Sequence, residues 1–192
     1  MGTPKHVLQF GDETALQRVV RIVRRVVAPV VVVAAPGQPL PTLSSEVLIA
    51  HDEQPGLGPL TGLVTGLKVL AQEVDAVYLT GCDAPLLRSE FVREMISRWQ
   101  PEDDILVPEE AGQQQPLAAV YSVDVLPLAQ QRLAENQLSL RGLIGACRAR
   151  SVQAETLRDV DSDLRSLWNM NSPADYQQLR KIVEDEKDAG TR

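Results

Sequence analysis

The stretch Leu79-Thr80-Gly81-Cys82-Asp83-Ala84-Pro85-Leu86 sets one carboxylate directly beyond a hydrophobic run, with a proline two residues later to stiffen the loop. If that run is a strand, Asp83 stands at its carboxyl end, where open α/β sheets bind their ligands. A hard oxygen ligand there suits Mg²⁺, which takes one or two carboxylates together with substrate phosphates. Asp83 could equally be a helix N-cap, and the residues alone leave the two readings level. A second polar stretch, His51-Asp52-Glu53-Gln54-Pro55-Gly56-Leu57-Gly58-Pro59-Leu60-Thr61-Gly62, is rich in glycine and runs into an apolar periodic segment. Glycines let a ligand approach the backbone, and a helix N-terminus offers free N–H groups to phosphate or ribose oxygens. A turn entering a helix needs glycine and proline in any case, and Gly62 and Gly66 could serve only close helix packing. The third stretch, Met1-Gly2-Thr3-Pro4-Lys5-His6, contributes one lysine near a glycine and a proline.

The other reactive side chains form no recognisable constellation. His6 and His51 lack metal-ligand spacing and read as surface or hydrogen-bonding histidines. Cys82 and Cys147 have neither the number nor the spacing of a disulfide framework or zinc site, so both read as core or near-core thiols. Neither serine nor cysteine occurs in a nucleophile-elbow context.

The elements that would position these residues are legible from hydrophobic period. Leu16, Val19, Val20, Val23, Val26 and Val27 recur at helical spacing over residues 14 to 27. Val30-Val31-Val32-Val33-Ala34 is β-branched and ended by Pro36-Gly37, the pattern of a strand buried on both faces, and Val47-Leu48-Ile49-Ala50 resembles it. Leu60, Leu63, Val64, Leu67 and Leu70 predict a helix opened by Pro59 in its first turn. Ala76 to Thr80 reads as a strand, and Phe91, Met95 and Ile96 mark the helix after it. The second half predicts strands at 105–107, 117–121 and 151–154, helices over about 123–135 and 139–148, and a closing helix from Pro173. Alternating strands and helices imply right-handed crossovers over a parallel sheet. One domain is expected over residues 1–184, with a charged, frayed tail over 185–192.

Composition narrows the partners. With 192 residues, 44% hydrophobic, the chain can bury a sizeable core. A net charge of −7 disfavours a nucleic-acid surface, which needs a basic face. No run of eighteen apolar residues occurs and the start lacks a secretory pattern, so no membrane partner and a cytoplasmic location are expected. A polyphosphate ligand would then need local cations and a metal to overcome global repulsion.

Taken in order, the segments Met1-Gly2-Thr3-Pro4-Lys5, Asp52 with Gly58-Pro59-Leu60-Thr61-Gly62, and Cys82-Asp83-Ala84-Pro85-Leu86-Leu87 resemble the molybdenum cofactor guanylyltransferase family of MobA-like nucleotidyltransferases. Gln115-Pro116-Leu117-Ala118-Ala119-Val120-Tyr121 and Trp168-Asn169-Met170-Asn171-Ser172-Pro173-Ala174-Asp175 extend the match over nearly the whole chain. The resemblance implies a three-layer α/β fold with a mostly parallel sheet of Rossmann-like nucleotidyltransferase type. It implies Mg²⁺-dependent transfer of a nucleoside monophosphate from GTP or CTP to molybdopterin, with pyrophosphate released. By position, Asp83 would hold Mg²⁺ against the triphosphate and Lys5 would neutralise phosphate charge. Asp52, Gly58 and Gly62 would border the nucleotide, and Asn169 and Asn171 would lie near the acceptor or the metal. Arg141 is either an anionic-acceptor contact or a plain exposed helix arginine. A molybdoenzyme or another protein of cofactor biosynthesis is the expected macromolecular partner.

Two departures qualify the resemblance. Family members carry a hydrophobic strand and a Leu-Ala-Gly-Gly-x-Ser-x-Arg loop ahead of the matching Met-Gly, and that first strand is absent here. Met1 is therefore expected to be an internal methionine of a longer natural protein, with the activity of the chain as given depending on the absent segment. Ala34-Ala35-Pro36 stands where family members often have an asparagine near the nucleotide, which leaves the base open. The competing readings are a transferase acting on another phosphorylated small molecule, such as a sugar phosphate or isoprenoid precursor, and an inactive homologue that only binds.

Overall fold

A computed structural model describes residues 2–52 and 56–190, so Met1, residues 53–55 of the glycine-rich stretch and residues 191–192 of the expected tail lie outside the described residues. A single 3-10 turn over Lys5–Val7 precedes a short hairpin, β1 (Gln9–Phe10) and β2 (Glu13–Thr14), which runs directly into α1 (Ala15–Val23). Thr14 starts that helix by accepting the Gln17 N–H at 3.2 Å, while Gln17 Oε1 accepts the Thr14 N–H at 2.8 Å, a reciprocal cap that satisfies two otherwise orphaned donors. The apolar stripe buries Leu16, Val19, Val20 and Val23 as its spacing predicts. The helix stops at Val23, four residues short of the expected Val27, and residues 24–26 continue it only as a turn. Val26 and Val27 still pack on the core from the turn after the helix.

β3 (Val30–Ala34) and β4 (Val47–His51) pair in parallel. Then come α2 (Pro59–Leu70), β5 (Ala76–Thr80), α3 (Ser89–Arg98), β6 (Ile105–Glu110), β7 (Gln113–Gln114) and β8 (Ala118–Ser122). α4 (Leu126–Ala134), α5 (Leu140–Ala146), β9 (Ala149–Gln153) and α6 (Pro173–Gly190) complete the main elements. The second sheet runs β5-β8-β6-β7, with β9 on the other side of β6.

Helices cover both faces, giving the expected three-layer α/β architecture. On one face α1 and α3 bury Val19, Val23, Phe91 and Met95 against β6, β8 and β9. On the other, α2, α4 and α5 bury Leu63, Leu67, Ala129 and Leu143 against the same sheet. The strand pairings are mixed: β3–β4 and β6–β9 are parallel, whereas β5–β8, β6–β8 and β6–β7 are antiparallel. The reversal comes from the β6–β7 hairpin, where positive φ at Ala111 and Gly112 turns the chain back so that β8 enters beside β5 from the opposite end. β8, flanked by strands on both sides, is buried at all five positions.

α6 continues to Gly190, through most of the segment read as a frayed tail. Arg180 pairs with Glu184 one turn on at 2.8 Å, and Lys187 reaches Asp12 at 2.5 Å, so opposite charges hold the last turns where apolar contacts run out. Among the described residues no helix is long and apolar enough to cross a membrane.

Candidate active site

Both strand bundles point their carboxyl ends the same way. Lys5 reaches Asp83, just beyond β5, while the next residue, His6, reaches the Pro39 carbonyl beyond β3. The loop after β4, carrying Asp52, and the loop after β5, carrying Asp83, therefore open on one rim, as strand-end ligand sites do.

At the β5 end, the Lys5 ammonium lies 3.0 Å from Asp83 Oδ2 and 2.9 Å from Asn171 Oδ1. Three segments separated by 78 and 166 residues thus converge on one cation. Asp83 is no helix cap: its side chain pairs with Lys5, and its carbonyl accepts the Met170 N–H at 2.8 Å, which ties the Asn171 loop to the strand end. Asp175 fixes the same loop by accepting the N–H groups of Asn171 at 2.8 Å and Ser172 at 2.7 Å. These bonds hold the Asp175 carboxyl below the usual carboxylate range. The Ser172-x-x-Asp175 spacing is a helix-start signal, the one local mark of Asp175 in the sequence.

Gly81 is required by the geometry. A Cβ there would stand 2.4 Å from Asp83 Oδ1. Among the described residues Oδ1 accepts no hydrogen bond, and the Asp83 side chain keeps 19% of its surface exposed, so one carboxylate oxygen is open to a ligand. A single open carboxylate beside a lysine fits a divalent cation that takes its remaining ligands from phosphates. Burial and the Asp83 charge push the neighbouring Cys82 thiol up to about 11.

At the β4 end, the Asp52 N–H extends the strand by donating to Ala34 O at 2.9 Å. The buried Thr61 hydroxyl lies 2.6 Å from Asp52 Oδ2 and 2.7 Å from Gly58 O, binding the loop to the first turn of α2. Thr61 is not singled out by the sequence pattern; its place three residues after the helix cap is the signal that marks it. Gly58 caps α2 with φ of 92°, a conformation that side chains resist, and Pro59 stands at N1. The N-terminus of α2 faces this rim; Pro59 has no N–H, and the N–H groups of Leu60 and Thr61 are the ones helix geometry leaves without an intrahelical acceptor.

The N-terminal segment spans the two ends. While Lys5 binds Asp83, the buried His6 places Nε2 3.0 Å from Pro39 O and Nδ1 3.1 Å from the Gln38 amide nitrogen, which assigns the Nε2–H tautomer. Gln38 Oε1 in turn accepts the Ala35 N–H at 3.1 Å. Asn169 and Arg141 do not join the cluster. Asn169 turns its amide to Leu167 O at 3.4 Å, and Arg141 stands exposed on α5, bound to none of the cluster residues.

The chain is similar to known proteins over most of its length. A profile of the MobA-like NTP transferase domain matches residues 1–153. The probable molybdenum cofactor guanylyltransferase of Mycobacterium tuberculosis strain H37Rv is 35% identical over 178 residues, covering 91% of this chain and 84% of that one. The molybdenum cofactor guanylyltransferase of Desulfosudis oleivorans is 28% identical, with 95% and 89% covered. The crystal structure of molybdopterin-guanine dinucleotide biosynthesis protein A from Archaeoglobus fulgidus shares the fold at a TM-score of 0.79 and 16% identity, covering 96% of this chain and 92% of that one.

Proposed function

From its membership of the MobA-like NTP transferase family, to which the chain belongs as a nucleotidyltransferase resembling molybdenum cofactor guanylyltransferases, we propose that it transfers GMP from GTP to molybdopterin and releases pyrophosphate. The observation that carries this reading is the Lys5–Asp83–Asn171 cluster on one rim with the Asp52–Thr61–Gly58 turn.

The chemistry asks for positioning and charge stabilisation more than for covalent help. A terminal phosphate oxygen of the acceptor attacks the α-phosphorus of GTP. The bond from that phosphorus to the α–β bridging oxygen breaks, and its electron pair leaves with pyrophosphate. The acceptor phosphate is already an anion, so no strong general base is needed, in keeping with the absence of a triad from the sequence. Lys5 stabilises negative charge as it shifts to the leaving group, and Asn171, anchored through Asp175, keeps the ammonium aimed. The α2 N-terminus offers backbone N–H groups to phosphate or ribose oxygens. Asp83 would hold Mg²⁺, which when bound neutralises triphosphate charge that a protein of net charge −7 would otherwise repel. Guanine as the base rests on the relatives' names; Ala34 and Ala35 at the end of β3 offer no side-chain hydrogen bond to it.

The test incubates the protein with molybdopterin and Mg²⁺ and measures pyrophosphate from GTP and from CTP separately. Release with GTP supports the proposal, and release with neither overturns it. Asp83→Ala is expected to abolish release while the circular dichroism spectrum stays unchanged; retained turnover would remove Asp83 from the metal site.

A further inference from the structure

Among residues 2–9 only His6 is buried. A buried imidazole is costly unless its nitrogens find partners, and here one loop satisfies both. Pro36-Gly37 centres a tight turn after β3, closed by the Gln38 N–H donating to Ala35 O at 3.0 Å, with Gly37 at φ of 73°. The turn folds the Gln38 side chain back over its own start. Oε1 accepts the Ala35 N–H at 3.1 Å and Nε2–H donates to His6 Nδ1 at 3.1 Å, while His6 Nε2–H donates to Pro39 O at 3.0 Å. His6 is thus gripped by residues 38 and 39 together.

Lys5 and His6 share the 3-10 turn Lys5–Val7. With three residues per turn, successive side chains point about 120° apart. His6 enters the β3 loop, and Lys5 therefore leaves in another direction, to Asp83 at 3.0 Å and Asn171 at 2.9 Å. Residues 2–4, on the other side of Lys5, are exposed. The nearest buried anchor for the lysine backbone is accordingly the imidazole one residue on. A lysine carries its point charge on a flexible stem, so the charge is placed only as well as the backbone beneath it is held.

We propose that His6 and Gln38 are positioning residues for Lys5, locking its turn to the loop after β3 so that the loop and the ammonium move as one piece. Neither side chain bonds to Asp83 or Asn171. Both act through Lys5, and Gln38 does so from 33 residues away in sequence, through the His6 ring. The effect on turnover rests on the transfer reaction proposed above, whereas the effect on the Lys5 turn does not.

The test compares the parent with His6→Phe, which keeps a ring but neither bond, and Gln38→Met, which keeps the side-chain length but not the amide. The turn is read without nucleotide, by hydrogen exchange at the Val7 and Leu8 amides, which close it onto Pro4 O and Lys5 O at 3.3 and 3.2 Å. Exchange there should quicken by about threefold or more in both variants, the population change that one lost hydrogen bond gives, while β8 amides keep the parent rate. Turnover separates positioning from stability. Single-turnover pyrophosphate release at saturating GTP should fall about tenfold or more in both variants, with KM changed much less. In a Lys5→Met background the same substitutions should lower it no further. His6→Gln, whose amide N–H replaces the ring donor to Pro39 O, should recover part of the loss. Parent-like exchange at Val7 and Leu8 in folded variants overturns the proposal, whatever the turnover. A loss that adds to that of Lys5→Met also overturns it, because the substitutions would then act elsewhere than through Lys5. If the parent itself releases no pyrophosphate, the transfer reaction fails and the exchange rates alone decide the positioning. If His6→Phe does not fold, Gln38→Met carries both readings.

Discussion

Gly81→Ala separates a residue needed for geometry from one needed for folding. The added Cβ would lie 2.4 Å from Asp83 Oδ1, with Leu117 Cδ1 at an ordinary 3.7 Å. Carbon and oxygen settle no closer than about 3.3 Å, so the carboxylate must retreat by about 0.9 Å. It can do so, because the clash is with the end of a side chain and Gly81 does not occupy the left-handed region. Retreat also disturbs the 3.0 Å bond to Lys5. A misplacement near 1 Å at a reacting centre costs about 10²-fold in rate, equivalent to about 2.7 kcal/mol of transition-state stabilisation. The melting temperature should hold or rise slightly, because alanine restricts the unfolded chain more than glycine does. Pyrophosphate release under single-turnover conditions, beside a thermal melt, gives both readings. Gly145→Ala serves as the control, since a Cβ there meets nothing within 4 Å, and its turnover should match the parent. Unchanged turnover in Gly81→Ala would show that the Asp83 position is not what the reaction depends on.

Lys5→Met should lower kcat/KM for the nucleotide by about 10²-fold or more, because charges about 4 Å apart near a surface interact by up to about 4 kcal/mol; its melting temperature should barely move, since a partly exposed pair adds at most about 1 kcal/mol. Thr61→Val removes the hydroxyl shared by Asp52 and Gly58 and should cost about 1–3 kcal/mol in urea unfolding while raising KM for nucleotide more than it lowers kcat; an unchanged KM would detach this turn from the nucleotide. Asp103, which the Arg150 guanidinium holds below the usual carboxylate range despite opposing burial, contributes stability that is present above about pH 4 and lost as pH falls through its depressed value. Asp103→Asn should therefore destabilise at pH 7 and flatten the acid limb of a stability profile, and an equally steep limb in the variant would assign the acid loss to other groups.

The sequence legibly carried what is local. Apolar spacing located α1, α2, β3 and β5, because a helix or strand imprints its own period on the residues that face the core. The order of segments put Asp83 at a strand end and brought Lys5, Asp52 and Asn171 into one reading. Boundaries are less legible than periods: α1 stops at Val23, and β9 begins at Ala149, two residues before its expected start. Three things had to wait for the tertiary structure. Lys5 meets Asn171 across 166 residues, a contact that no local pattern encodes. The antiparallel entry of β8 beside β5 depends on which edges are free when the β6–β7 hairpin closes. The site residues also divided only in three dimensions: Asn171 joined the cluster while Asn169, two positions away, turned aside and Asp175 proved to be the anchor. Local residue order sets which face a side chain takes within its own element, whereas the approach of distant loops is set by how the helices and sheets pack.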